Sequence, residues 1–143
     1  MSSLRISAVL TSCALAVAGL SGCFITADTG PGPEPGPPVR TGTLTVVWTV
    51  AGSRSPVSCS QFGAYDLELT VEDRFSRPVT QVNAPCTDFT VTVDLPEGVY
   101  EAEAVFVDSR SSEVSTRLPL ENVRITAKSD LTIDVDFPSS SRL

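Results

Sequence analysis

From Thr43 onward the apolar side chains fall on every second residue, the spacing of a strand with one buried and one wet face. A chain that keeps this repeat has few folds open to it, because its strands must pair and the apolar faces of the resulting sheets must cover each other. The first expected strand, residues 43–50, sets Leu44, Val46, Trp48 and Val50 inward against Thr43, Thr45, Val47 and Thr49. The second sets Tyr65, Leu67, Leu69 and Val71 inward, with Asp66, Glu68, Thr70 and Glu72 outward. A short third strand near 78–82 is poorly patterned and starts at Pro78, which suits a sheet edge. The fourth points Phe89, Val91, Val93 and Leu95 inward and ends at the turn Leu95-Pro96-Glu97-Gly98. In the fifth, residues 99–108, Tyr100, Ala102, Ala104 and Phe106 face inward, opposite Glu101 and Glu103. The sixth changes register between Val114, Leu118 and Leu120 and then Val123 and Ile125, so a bulge is expected within 119–122. The seventh buries Leu131, Ile133, Val135 and Phe137. No stretch has a helical period. Seven short strands with turns every 8–12 residues predict an all-β domain, a single antiparallel two-sheet β-sandwich, with a small β-barrel as the alternative.

The region before this domain has a different character. One basic residue, Arg5, precedes an apolar run over residues 6–20 and the small residues Ser21 and Gly22, the order of a secretory signal too short to span a bilayer. Leu20-Ser21-Gly22-Cys23 resembles the lipobox of bacterial lipoproteins. That resemblance implies diacylation of the Cys23 sulfur, cleavage before it, and acylation of the new amino terminus. The competing reading is an ordinary cleaved signal with a chance cysteine. In the family, Asp directly after the cysteine retains a lipoprotein in the inner membrane. Here Phe24 and Ile25 follow, which favours the outer membrane. Residues 29–38, Thr-Gly-Pro-Gly-Pro-Glu-Pro-Gly-Pro-Pro, have too many prolines for a helix or a paired strand and read as a stalk of roughly 20–30 Å. The expected organisation is a signal peptide at 1–22, an acylated cysteine and Pro/Gly-rich tether at 23–40, the sandwich at 41–138 and a disordered tail at 139–143.

Removing residues 1–22 leaves nine basic and 17 acidic side chains, a balance that argues against nucleic acid and anionic headgroups as partners. With Cys13 in the signal and Cys23 given to lipid, Cys59 and Cys86 remain as an even pair in a compartment that permits oxidation, and they read as a disulfide. A two-cysteine metal site is the rival, weakened by the absence of histidine from the chain and of any CxxC spacing.

A second resemblance lies in the domain. Leu95-Pro96-Glu97-Gly98-Val99-Tyr100 and the closing segment 123–135 resemble the "L-P-x-G-x-Y" hairpin and terminal hairpin of transthyretin-like and carboxypeptidase-regulatory-like β-sandwich modules. The resemblance implies a mostly non-enzymatic module and carries over no ligand residues, because the matching positions belong to turns and core.

The chemistry available is narrow. Without histidine there is no Ser-His-Asp triad, Cys-His pair or histidine metal site. Glu101 with Glu103, and Asp134 with Asp136, sit two apart on wet strand faces, where acid–base catalysis or calcium binding lacks a cleft. No cofactor or catalytic residue is expected. Three functions are left open: a non-catalytic envelope lipoprotein that binds a protein or glycan, a structural or surface-coat lipoprotein without a specific ligand, and an enzyme of unrecognised type. Reversing direction at every connection places the loops after the first, third and fifth strands at one end, and the first two of these contain Cys59 and Cys86. A long loop held rigid there is where a partner would bind, which nominates Arg54, Gln61, Phe62 and Arg110. Phe62 also reads as a cap on the core.

Overall fold

The computed structural model describes residues 36–143, so the signal, Cys23 and most of the tether lie outside the described residues. The compact unit runs Pro37–Leu143 and contains the whole described core and its disulfide. It has seven strands: β1 Thr41–Val50, β2 Asp66–Asp73, β3 Pro78–Pro85, β4 Thr90–Pro96, β5 Gly98–Val107, β6 Leu118–Ile125 and β7 Asp130–Phe137. One helix, α1 Pro56–Phe62, interrupts the loop between β1 and β2. Two short 3-10 turns, Cys86–Asp88 and Ser139–Ser141, follow β3 and β7.

The strands form two open sheets, a three-stranded one in the order β4-β1-β7 and a four-stranded one in the order β3-β2-β5-β6. The architecture is therefore an all-β sandwich and not a closed barrel. Its core is the expected one, with Leu44, Val46, Trp48, Leu67, Leu69, Val71, Ala104, Phe106 and Phe137 fully buried between the sheets. Phe106 and Phe137, one from each sheet, bring their ring centroids within 4.0 Å.

The expectation of a purely antiparallel arrangement fails at one pair. β1 lies parallel to β7, from Thr43 opposite Asp130 to Val50 opposite Phe137. The reversal count explains it. When each connection turns the chain round, all odd-numbered strands run the same way, so any two that become neighbours must be parallel. The expected bulge is present: Tyr100 faces Val123 and Ala102 faces Leu120, which leaves Glu121 and Asn122 opposite Glu101. Asn122 takes the left-handed conformation (φ 59°) that such an irregularity needs and that Asn tolerates better than most side chains.

Three other expectations are corrected. Tyr65 is 63% exposed and not inward, because the core at that end is closed by α1, whose Phe62 packs edge-on against Phe106 at 5.6 Å. Phe89 is buried but precedes β4, in a left-handed turn (φ 54°) that carries its ring to 6.4 Å from Trp48. The tail at 139–143 is ordered. Thr116 N–H donates to the Ser141 carbonyl at 2.7 Å, Leu143 N–H donates to the Val114 carbonyl at 3.0 Å, and Ser141 is buried. The serine run gives no apolar signal for this docking, which rests on backbone hydrogen bonds.

The chain enters the sandwich at β1 through a tight crossing. Lys128 N–H donates to the Thr41 carbonyl and Thr43 N–H to the Ser129 carbonyl, both at 2.8 Å, so the β6–β7 turn lies against Gly42. A side chain there would put Cβ 2.3 Å from the Thr126 carbonyl oxygen, which is why the position requires glycine.

Candidate functional site

The two ends of the sandwich, and not its faces, carry the irregular structure. The distal end, away from the start of β1, is built around the Cys59–Cys86 disulfide, which spans 27 residues of sequence with a Cα–Cα distance of 6.0 Å. It ties α1 to the turn after β3. The helix starts at Ser55, whose hydroxyl accepts from Val57 N–H at 3.3 Å, has Pro56 in its first turn, and ends at Gly63 in the left-handed conformation. Trp48 reinforces the same junction by donating its indole N–H to the Cys86 carbonyl at 3.0 Å. Both cysteines and Trp48 are buried, so the bridge belongs to the core.

The four residues nominated for partner contact do not form one site. Phe62 is mostly buried as the cap of the core, and its remaining exposed edge lines the same concavity as Gln61. Gln61 lines a shallow concavity with Phe62, Ala51, Ser58, Ser139 and Arg142. Arg54 instead points along the three-stranded sheet and meets Asp134 at 3.5 Å. Arg110 is exposed at the tip of the β5–β6 connection, and neither it nor Arg54 lines the Gln61 concavity.

Asp134, Asp136 and Glu103 of the two acidic pairs have local partners. Asp136 accepts from the Thr49 hydroxyl at 2.6 Å and from Gly52 N–H at 2.8 Å. Arg117 bridges Glu113 and Glu103, and these carboxylates raise its pKa above the usual arginine value, Glu113 most. Among the described residues no group of three or more His, Cys, Asp or Glu is placed to hold a metal ion.

The proximal end, where β1 begins, carries a feature that the sequence reading passed over. Residues 73–77, at this end, and 108–112, at the other, are two copies of one loop. In each, an aspartate carboxylate accepts from the N–H groups two and four residues on: Asp73 from Phe75 and Arg77 at 2.8 and 3.1 Å, Asp108 from Arg110 and Ser112 at 2.8 and 2.9 Å. Each has serine in the left-handed conformation at its fourth residue, Ser76 (φ 55°) and Ser111 (φ 62°). These bonds hold both carboxyls below the ordinary value of 3.8. For Asp73 the Arg77 side chain is the largest cause, and for Asp108 it is the Ser112 N–H. The distal copy presents Arg110 at its third position and the proximal copy presents Phe75, which is 64% exposed. The Arg74 and Arg77 guanidinium carbons lie 4.7 and 5.3 Å from the Phe75 ring centroid.

Beside this loop lies the Leu95-Pro96-Glu97-Gly98-Val99-Tyr100 turn. The Tyr100 hydroxyl donates to the Pro96 carbonyl at 2.7 Å and its ring covers Gly98, so the tyrosine and glycine of the motif lock the turn on itself. Burial raises the Tyr100 pKa, with the nearby Asp73 carboxylate adding to it. Val99 next to it is 52% exposed. Total composition hid this end, because the net charge of the chain says nothing about where the charges sit; the signal that could have found it is Arg-Phe-Ser-Arg at residues 74–77, an aromatic off the strand pattern between two cations.

No family model matches the chain, and no curated protein matches it. Among solved structures the chain is similar to the Bacillus anthracis TIE protein, at 13% identity and a TM-score of 0.47, over 68% of this chain and 17% of that one. The chain thus spans about a sixth of that structure's length.

Proposed function

We propose that the protein is an envelope lipoprotein: a lipid-anchored, non-catalytic β-sandwich module that binds a protein or glycan at the cell envelope. The observation that carries this reading is Leu20-Ser21-Gly22-Cys23 behind an apolar run of signal length. Three acyl chains on Cys23 hold a protein on a bilayer where one holds it only marginally. The Phe24-Ile25 pair after the cysteine favours the outer membrane. A core disulfide supports an oxidising compartment. The non-catalytic reading is supported by the state of Asp134, Asp136, Glu103 and Glu113, which are taken up by Arg54, Arg117, Thr49 and a backbone N–H group on open surfaces.

Partner contact is assigned to the distal end, to Gln61 beside Arg142 and to the exposed Arg54 and Arg110. Fixing α1 by the disulfide lowers the conformational cost of binding there. The test of the anchor is Cys23→Ala in the native host. The wild-type protein partitions into the detergent phase of a cloud-point separation and the variant into the aqueous phase, and unchanged partitioning would remove the lipoprotein reading.

A further inference from the structure

We propose that the proximal end of the sandwich docks on anionic phospholipid headgroups, with Phe75 entering the interfacial layer and Arg40, Arg74 and Lys128 engaging phosphates. Four observations meet at this end. The first is Phe75 itself, exposed at the tip of a loop whose hydrogen bonds come from Asp73 and backbone. The twin loop at the other end has Arg110 in the same place, so the loop's geometry does not require an aromatic there. The second is further exposed apolar surface at the same end: Val99, 52% exposed, lines a concavity with Phe75, and Val39, 73% exposed, lines a separate one at the chain entry with Arg40 and Lys128. Large exposed apolar side chains gathered at one end of a domain mark an interaction surface.

The third observation is charge. Residues 36–143 carry nine basic and 15 acidic side chains. Five of the nine basic ones are at this end: Arg40, Arg74, Arg77 and Lys128 in the turns and at the chain entry, and Arg124 opposite Val99. The turns themselves hold two carboxylates, Asp73 and Glu97, and Asp73 is engaged by Arg77. Asp94 and Asp130, both paired with Thr43, and the opposed Glu72 and Glu101 sit further in along the strands. Glu121 lies opposite Glu101, and the remaining eight lie beyond them, on the faces and at the distal end. β1 and β5 have ten residues each, about 33 Å of strand at roughly 3.3 Å per residue, and exposed charges are screened within roughly 8–10 Å, so the distal carboxylates are not felt at this end, whereas Asp94, Asp130, Glu72 and Glu101 are. The turns of the proximal end, with Arg40, Arg74, Arg77 and Lys128 against Asp73 and Glu97, therefore carry a cationic excess although the molecule as a whole is acidic.

The fourth is connectivity. β1 begins at this end, and only 16 residues separate Cys23 from Arg40. Resting on the anchored reading, this makes the bilayer a partner present at high effective concentration, so a weak headgroup contact suffices. Aromatic rings prefer the headgroup layer, and Arg74 and Arg77 beside the Phe75 ring supply the adjoining cations.

The test uses unlipidated chain 23–143 with Cys23→Ser, which contains the whole compact unit, so its outcome does not depend on whether Cys23 is acylated. In Phe75→Trp, two indoles report separately. Trp48 is fully buried and stays blue-emitting while the fold persists, and the introduced tryptophan is at the surface. Brominated phosphatidylglycerol vesicles are expected to quench the introduced tryptophan, and phosphatidylcholine vesicles are not. Arg74→Gln with Lys128→Gln should lower partitioning onto phosphatidylglycerol about 25-fold, roughly fivefold per cation. Surface-tryptophan emission that is the same with brominated and plain phosphatidylglycerol, or equal binding to phosphatidylcholine, overturns the proposal. If Cys23 proves unmodified while the introduced tryptophan is quenched, the anchored reading falls and the headgroup surface stands.

Discussion

Breaking the Cys59–Cys86 bridge tests how the distal end is held. The two cysteines are 27 residues apart, and in the chain-entropy model a closed loop of that length removes about 12 cal/mol/K from the unfolded chain, about 3.5 kcal/mol at 25 °C. Against a stability of about 5–15 kcal/mol this is a large share. The structure adds a native-state contribution, because the bridge also seats α1 and Phe62 over Phe106. Cys59→Ala with Cys86→Ala should therefore lose at least about 3.5 kcal/mol. With a urea dependence of about 1–1.5 kcal/mol/M, the unfolding midpoint should fall by roughly 2.3–3.5 M. Emission of Trp48, the single tryptophan and fully buried, follows the transition directly. A loss below about 1 kcal/mol would mean that α1 docks by its own packing and that the bridge constrains nothing, which would refute the reasoning for a rigid distal loop.

Trp48→Ala should cost about 3–5 kcal/mol, since it empties the centre of the core and leaves the Cys86 carbonyl without its donor; near-native stability in a urea titration would contradict this. Gly42→Ala forces Cβ against the Thr126 and Ser129 carbonyl oxygens and should cost at least about 2 kcal/mol, whereas Gly36→Ala, with nothing within 4 Å, should be neutral; equal melting temperatures for the two would refute the crossing geometry. Asp73 has a folded pKa below its ordinary 3.8, so its contribution is complete above that pH and is lost as pH falls through the folded value. The stability difference between wild type and Asp73→Asn should therefore be constant at neutral pH and shrink below about pH 3.8, and a difference that does not depend on pH would show that the carboxylate charge is not involved.

The period-two pattern made β1, β2, β4, β5 and β7 legible, because each buries one face and wets the other and leaves the same mark at residue level. It even located the bulge, where the register of inward residues slipped between Leu120 and Val123. It could not show that β1 and β7 are neighbours, since pairing partners depend on how two sheets close over each other and leave no local trace. The helix was missed because at seven residues α1 is too short to display a 3.6 period; its only marks are Ser55-Pro56 at the start and Gly63 at the end. Tyr65 misled for a related reason, since a helix the pattern did not contain took the place in the core that its phase implied. The disulfide was legible from the even cysteine pair, and counting strand reversals brought its two loops to one end. The proximal surface was not, because a single net charge averages over a molecule whose cations gather at one end.

The most direct test of the central claim is the intact mass and amino-terminal peptide of the protein purified from membranes of its native host. The account predicts a mature chain that lacks residues 1–22 and begins at Cys23, with diacylglycerol on its sulfur and an acyl chain on its α-nitrogen. A mature terminus at any other residue, or a Cys23 of unmodified mass, would contradict it.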